Sequence, residues 1–511
     1  MTTRSPSLLP RSASASGLLV LAGAGLFLAA VDAYVVVAAL LRMLTSVGIP
    51  VLPAANLERG TTIVTGFLLG YLAVMPLAGG LSDRFGRLRT FGACLVLFAI
   101  GSLLTATAGS LGQLVAGRVL QGAGGGGLVP VVLALAADLY GGARRTTALG
   151  GVSGLQELGS VLGPIWGGVL AAISAQGWRW IFALNLFFAA GLLAALWPGI
   201  RQRPARLPQA PLDLVGALLA AAALALLVVA LYAGDPQRSP VGSGFWWQAP
   251  LAILLIVLFV IRERRARAPL IDVRHFRDSG FTGAALTNAL AGAGLMVALV
   301  FIPVLAQSSV FSLDPRQASF LLFRLLLGIP IGALAGGAIA SRLRSNRGVA
   351  AIGMLIAAFA FALLAGWNQD ALRGHLLGTP LRVADLELFS AGFGLGLEIA
   401  PVSAALLDLV SDAERGAAAA FLVIARMVGM LLGFSAVAGF GLYQFDRVTA
   451  RLTPPLFSLR PDYAVRLAQY ELQLRQAILD QYHTIFTIAA ALVLAGALIA
   501  AASLRPPRVR A

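Results

Sequence analysis

The chain has 511 residues, of which 59% are hydrophobic and only 12% charged, with a mean hydropathy of +0.86. That balance lies far outside the range of soluble proteins and describes an integral membrane protein. The net charge of +16 comes from arginine, since the sequence has no lysine, and the arginines gather in short loops between apolar runs. This is a positive-inside pattern and not a nucleic-acid footprint, so no nucleic-acid partner is expected.

The leader "MTTRSPSLLPRSASAS" precedes an apolar run from Gly17 to Met43 that is longer than a signal-peptide core and carries Asp32. It reads as a cytoplasmic tail, residues 1–16. Apolar runs long enough to cross a hydrocarbon core then recur to residue 503, and predict about fourteen transmembrane helices. Their starts fall near Gly17, Thr61, Phe91, Leu111, Ala148, Trp180, Asp213, Gln248, Gly280, Gln317, Val349, Asp385, Gly416 and His483. The fold class is an all-α polytopic membrane protein. Loops such as "SDRFGRLRT", "IRQRPARLP" and "SRLRSNRG" are basic on one side, and an even helix number returns the tail, residues 504–511, to that side. Both termini are expected in the cytoplasm.

A repeat divides the chain. "PLAGGLSDRFGR" (Pro76 to Arg87) and "ALAGGAIASRLRSNRG" (Ala333 to Gly348) are glycine pairs running into basic loops at equivalent positions. They fit a six-helix half at 17–200, a linker with two extra helices at 201–278, and a second six-helix half at 279–503, which is the two-half plan of secondary transporters.

Three motifs are more specific. "GGLSDRFGRLR" holds Gly79, Asp83, Arg84, Gly86 and Arg87; "LVAGRVLQGAGGG" holds Arg118, Gln121 and Gly122; "GGVSGLQELGSVLGPIWGG" holds Gly150, Gly159, Gly163, Pro164, Gly167 and Gly168. They resemble the loop signature, fourth-helix motif and fifth-helix antiporter motif of the major facilitator superfamily. With "GWRWIFALNL" and the extra helix pair, the resemblance implies a major facilitator fold of the fourteen-helix drug:proton antiporter branch, with the proton as coupling ion.

The residues also carry a physical reading. Glycines at these spacings let helices approach backbone to backbone, and Pro164 frees a carbonyl and bends its helix. They mark a pivot surface between helices, or ordinary small-residue packing. Asp83 can cap a helix N-terminus or pair with an arginine, fastening one side of the molecule, or it sits in a loop that only sets topology. "GAGGGG" and "GFGLG" follow no strand, which argues against a nucleotide site.

Carboxylates within spans need partners. Only Arg118, Arg324 and Arg426 are expected inside helices. At 1.5 Å per residue, Glu157 and Arg426 lie roughly 14 to 15 Å from the same membrane face, so an interdomain gate between the halves is possible in depth, the alternative being separate partners within each half. Asp32 and Arg118 match in depth from the other face. The resemblance adds that this branch carries an acidic residue at the Asp32 position and an arginine at Arg118. Asp32 is the first choice for the proton site: burial favours the neutral acid and Arg118 the carboxylate, the alternative being a static pair. Glu398 is a second candidate near mid-depth, or faces a wet cavity, and Arg324 has no depth partner.

Between the last two helices the chain is too long for a hairpin, and residues 462–482 have helical composition with Tyr463, Leu467, Tyr470 and Leu474 at near-helical spacing. The region 441–482 is expected to project on the outer side as an extracytoplasmic extension, or to form a solvated linker. "VDAYVVV", "MLTSVGIP", "LQELGSVLGP", "GLGLEIAPVSAALLDLV", "IARMVGM" and "GLYQF" look like segments of the mycobacterial triacylglyceride exporters that work with a periplasmic lipoprotein. That narrower resemblance implies a bacterial inner-membrane protein exporting lipid toward the periplasm, driven by protons, with a lipid-carrier lipoprotein as partner. A multidrug antiporter for amphipathic cations and a non-transporting lipid scaffold or sensor are the competing readings. An enzyme is not expected: three histidines are scattered, Cys94 stands alone, and no nucleophile lies near a base or metal-ligand set.

Overall fold

A computed structural model describes residues 15–49, 55–174, 176–201, 213–231, 241–266, 269, 272–313, 315–374, 382–449 and 462–504. Within them the chain forms α1 (Ala15–Ser46), α2 (Ala55–Phe85), α3 (Arg87–Ala106), α4 (Leu111–Leu139), α5 (Gly142–Ile173) and α6 (Gly177–Arg201), followed by α7 (Leu214–Leu231) and α8 (Phe245–Arg265). After a 3-10 turn at Val273–Arg277 come α9 (Ser279–Gln307), α10 (Pro315–Leu343), α11 (Asn346–Ala365), α12 (Val383–Leu407), α13 (Arg415–Thr449) and α14 (Asp462–Ser503).

Local chemistry sets several helix ends. The Ser110 hydroxyl accepts from the Gln113 amide to start α4, Asp278 accepts from Gly280 to start α9, and Ser345 accepts from Gly348 to start α11. Gly86 separates α2 from α3 at φ 94°, a conformation that a side chain would strain. Among the described residues, twelve helices are long and apolar enough to cross a membrane. The other two are α5, diluted by glycine and charge, and the shorter α7. Three helices start well ahead of where hydropathy predicts, α2 at Ala55, α5 at Gly142 and α14 at Asp462. Hydropathy registers the lipid-facing stretch, whereas a helix ladder continues into water as long as its residues allow.

Helices α1–α6 and α9–α14 pack as two bundles with matching internal contacts, α2 on α4 in the first and α10 on α12 in the second. Glycine makes both contacts close: a Cβ at Gly122 or Gly126 would strike the backbone of Phe67 or Tyr71, and one at Gly392 or Gly396 the backbone of Leu325 or Ile329. "GAGGGG" and "GFGLG" are therefore helix-packing surfaces. The extra helices pack on each other, and α7 rests on α2. Helix α8 is largely exposed, with Trp246 and Trp247 among its uncovered side chains.

The turns after α2, α4, α10 and α12 share one end of the molecule, called here the arginine-rich face. At the opposite end the last hairpin is long. With 42 residues, α14 spans about 63 Å, roughly twice the hydrocarbon thickness. Tyr463, Leu467, Tyr470 and Leu474 lie half-buried along it, while most side chains between them are exposed. The loop sequence "TPPLFSLRP" and the chain termini fall outside the described residues.

Candidate functional site

The first constellation lies inside the first half. The Arg118 guanidinium donates to the Asp32 carboxylate at 2.6 Å, and both side chains are almost wholly buried. Asn185 of α6 donates to the same carboxylate at 2.6 Å and Gln121 donates at 3.3 Å. Gln121 is held in turn by Ser102 and Thr105 of α3, at 2.8 and 3.1 Å. Phe67 of α2 stacks under the guanidinium with 4.2 Å from its central carbon to the ring centroid. Donors from α4 and α6 thus converge on one carboxylate of α1, braced from behind by α2 and α3, and its oxygens are satisfied by neutral donors as well as by the cation.

A second pair joins the halves. Glu157 of α5 and Arg426 of α13 meet at 3.3 Å, each side chain being about one-tenth exposed (14% and 11%). The early start of α5 leaves this meeting intact, because both helices enter from the arginine-rich face. Tyr34 and Tyr71 lie within electrostatic reach of the pair. Glu398 of α12 does too, yet it does not face a wet cavity: it is 0% exposed, and neither carboxylate oxygen has a hydrogen-bond partner.

The third constellation closes the arginine-rich face. Asp83 pairs with Arg87 and also accepts from the backbone amides of Gly416 and Ala417, at 2.9 and 3.0 Å. It therefore caps the first turn of α13, a helix of the other half, where the helix dipole favours an anion. Arg87 reaches Asp138 at 2.8 Å, and Arg415 reaches the same Asp138 at 2.9 Å. Arg145 pairs with Asp408 across the same seam. Gly79 leaves room for the backbone of Gly416, and Arg84 is exposed beside Phe85.

The antiporter-motif glycines serve two different neighbours. A Cβ at Gly150 would meet the Cα of Gly337 in α10 at 2.8 Å, so this end abuts the other half. Cβ atoms at Gly159 and Gly163 would meet carbonyls of Phe27 and Val31 in α1, at 2.7 and 2.6 Å, and Gly167 sits as closely on Val35. Pro164 and Gly168 belong to the same helix, α5. One further expectation needs correction. Arg324 has a partner, Asp385 at 3.1 Å in the first turn of α12; the depth count overlooked it because Asp385 stood at a predicted boundary and not within a span.

Sequence reasoning also missed Asn185, although it lies in the quoted "GWRWIFALNL", and the crossed pairs Arg145–Asp408 and Arg415–Asp138. A signal for the latter was present. "DLYGGARR" and "DLVSDAER" share Asp-Leu followed by arginine seven residues after the aspartate, once in each half. Among the described residues no group of three or more His, Cys, Asp or Glu is placed to hold a metal ion.

Two matching helical bundles joined by an extra helix pair, with charged seams between them, follow the two-half plan of membrane transporters. The chain belongs to the Major Facilitator Superfamily, whose family model matches residues 22–434. It is similar over nearly its whole length to a triacylglyceride transporter of Mycolicibacterium hassiacum, 42% identical over 498 residues covering 95% of this chain and 90% of the relative. A triacylglyceride transporter of Mycobacteroides abscessus is 44% identical over 83% of this chain and 82% of its own, and one of Mycobacterium tuberculosis H37Rv is 41% identical over 92% and 91%. Among solved structures, the human organic anion transporter MFSD10 superposes with a TM-score of 0.58 at 18% identity, covering 94% of this chain and 100% of its own. The proton:xylose symporter XylE gives 0.57 at 16% identity, covering 93% and 94%. Those two structures speak to the fold.

Proposed function

We propose that this protein exports neutral, triacylglyceride-like lipid from the inner membrane toward the periplasm, driven by proton entry and working by alternating access between its two halves. The observation that carries the reading is the Glu157–Arg426 pair, which ties the halves together at a depth where an unpaired charge is costly. Breaking it requires compensation, so the gate and whatever compensates it are energetically linked. In this reading the arginine-rich face is cytoplasmic, as the positive-inside rule favours, and both termini lie there. The conformation described has that face closed by Asp83, Asp138 and Asp408.

Asp32 is the proton site of this scheme. Protonation would remove the charge that Arg118, Asn185 and Gln121 hold, and free those donors to rearrange. A neutral lipid is favoured over an amphipathic cation because Asp32 and Glu398 are 1% and 0% exposed and offer no anionic surface to a cation. The relatives named as triacylglyceride transporters support the same substrate class. The projecting hairpin of α13 and α14 carries an apolar stripe suited to a lipid leaving the bilayer for a periplasmic lipid-carrier lipoprotein.

The test is reconstitution in liposomes with labelled triacylglyceride and a fluorescent drug cation under an imposed proton gradient, comparing wild type with Asp32→Asn. Gradient-dependent lipid movement that the variant abolishes is the expected result. Movement of the cation alone would replace this reading with a drug antiporter, and gradient-independent lipid movement would overturn the coupling.

A further inference from the structure

We propose that Glu398 is a second proton-binding site, and that Arg426 passes from Glu157 to Glu398 when the arginine-rich face opens. The inference rests on the two-state reading above and adds to it the residue that receives Arg426.

Glu398 lies in the middle of α12, with no exposed surface and no hydrogen-bond partner for either oxygen. An ionised carboxylate so placed would forgo both water and donors, a cost of several kcal/mol. In this proposal the group holds its proton in this conformation. Helix α12 packs against α5, α9, α10, α11 and α13. The charges that reach Glu398 are Arg426 from α13 and Glu157 from α5, and α9, α10 and α11 contribute none among the described residues. Arg324 of α10 is engaged by Asp385, thirteen positions and about 20 Å away along α12.

Arg426 is built to pivot. A Cβ at Gly292 of α9 would meet its Cγ at 3.1 Å and strike its carbonyl, so the base of the side chain is held within its own half while the guanidinium reaches across to Glu157. Glu398 belongs to that same second half. When the halves separate at this face, Glu157 leaves with α5 and gains access to water. Arg426 stays in the same half as Glu398, within its electrostatic reach.

The charges balance. In the closed conformation the ledger is a Glu157 carboxylate, an Arg426 cation and a neutral Glu398 acid. On opening, the O–H bond of Glu398 breaks, its proton passes to water at the arginine-rich face, and the resulting carboxylate pairs with Arg426. Closing reverses the exchange, with a proton taken up before Glu157 recovers its partner. One proton is then bound in the closed state and released in the open one. Glu398 so performs at the seam what Asp32, enclosed within the first half, is not placed to do.

Infrared difference spectroscopy on purified protein tests the assignment without lipid or gradient, so it stands or falls separately from the transport reading. Wild type minus Glu398→Gln should show one protonated-carboxyl C=O band, which Asp32→Asn retains. If the band is absent from that difference, Glu398 is ionised and the proposal is overturned. A spin-label distance across the arginine-rich face supplies the second readout. Glu398→Gln, which offers Arg426 no anion, should lower the open population about tenfold or more, and an unchanged population would overturn the exchange. Should Glu398→Gln fail to purify as a single species, Glu398→Asp should retain the protonated band at a shifted frequency; an unshifted band would assign it to another carboxyl and overturn the proposal.

Discussion

The two intramembrane ion pairs differ in what holds them. Asp32 and Arg118 both belong to the first half, are almost wholly buried, and are enclosed by donors from α4 and α6. Glu157 and Arg426 come from different halves, meet at a longer 3.3 Å, and retain some exposure. A rigid-body movement of one half against the other stretches the second pair and leaves the first untouched. Any change in the Asp32–Arg118 pair then requires a local rearrangement within the first half.

That contrast can be broken most forcefully at Arg118. Arg118→Ala strands a buried carboxylate and removes the stack on Phe67, and should cost about 3–5 kcal/mol, read as a large fall in thermal stability in detergent. The double variant Asp32→Asn with Arg118→Met should recover much of that loss, because no charge is left without a partner. An equal loss in both would mean that packing, and not the pair, sustains this region.

Glu157→Gln should be milder in stability and stronger in conformation. With Arg426 uncompensated, labels at Gly141→Cys and Ala413→Cys should report an open population raised about tenfold or more. If the same variant lowers stability as much as Arg118→Ala, the proposed difference between the pairs disappears.

Asp83→Asn probes the latch at the arginine-rich face. It removes the anion from the first turn of α13 while keeping side-chain volume, and should weaken closure by about 1–2 kcal/mol, in the same label pair. The last comparison separates adjacent glycines. Gly150→Ala forces a methyl against Gly337 and should favour opening by about 1–3 kcal/mol, whereas Gly151→Ala meets nothing within 4 Å and should leave the distance distribution unchanged. Equal responses would show that the Gly150 contact does not hold the halves together.

Much of this molecule is written along the chain in one dimension. Apolar run lengths and arginine loops determined a polytopic all-helical protein, and motif spacing pointed to the family that the family model matches. Counting at 1.5 Å per residue placed Glu157 level with Arg426 and Asp32 level with Arg118, and in both cases the side chains meet. Depth is legible because a membrane fixes where each helix begins.

Azimuth and neighbourhood are not legible in that way, and the tertiary structure decided them. It turned Asn185 onto Asp32, set Asp83 under the first turn of α13, gave Arg324 to Asp385 and left Glu398 with no donor at all. It also carried α14 well beyond the apolar stretch that announced it. Each of these depends on which helix faces which, and on how far each is rotated about its own axis. Those quantities come from side chains packing across distant parts of the sequence, whereas hydropathy and spacing report only position along a single helix.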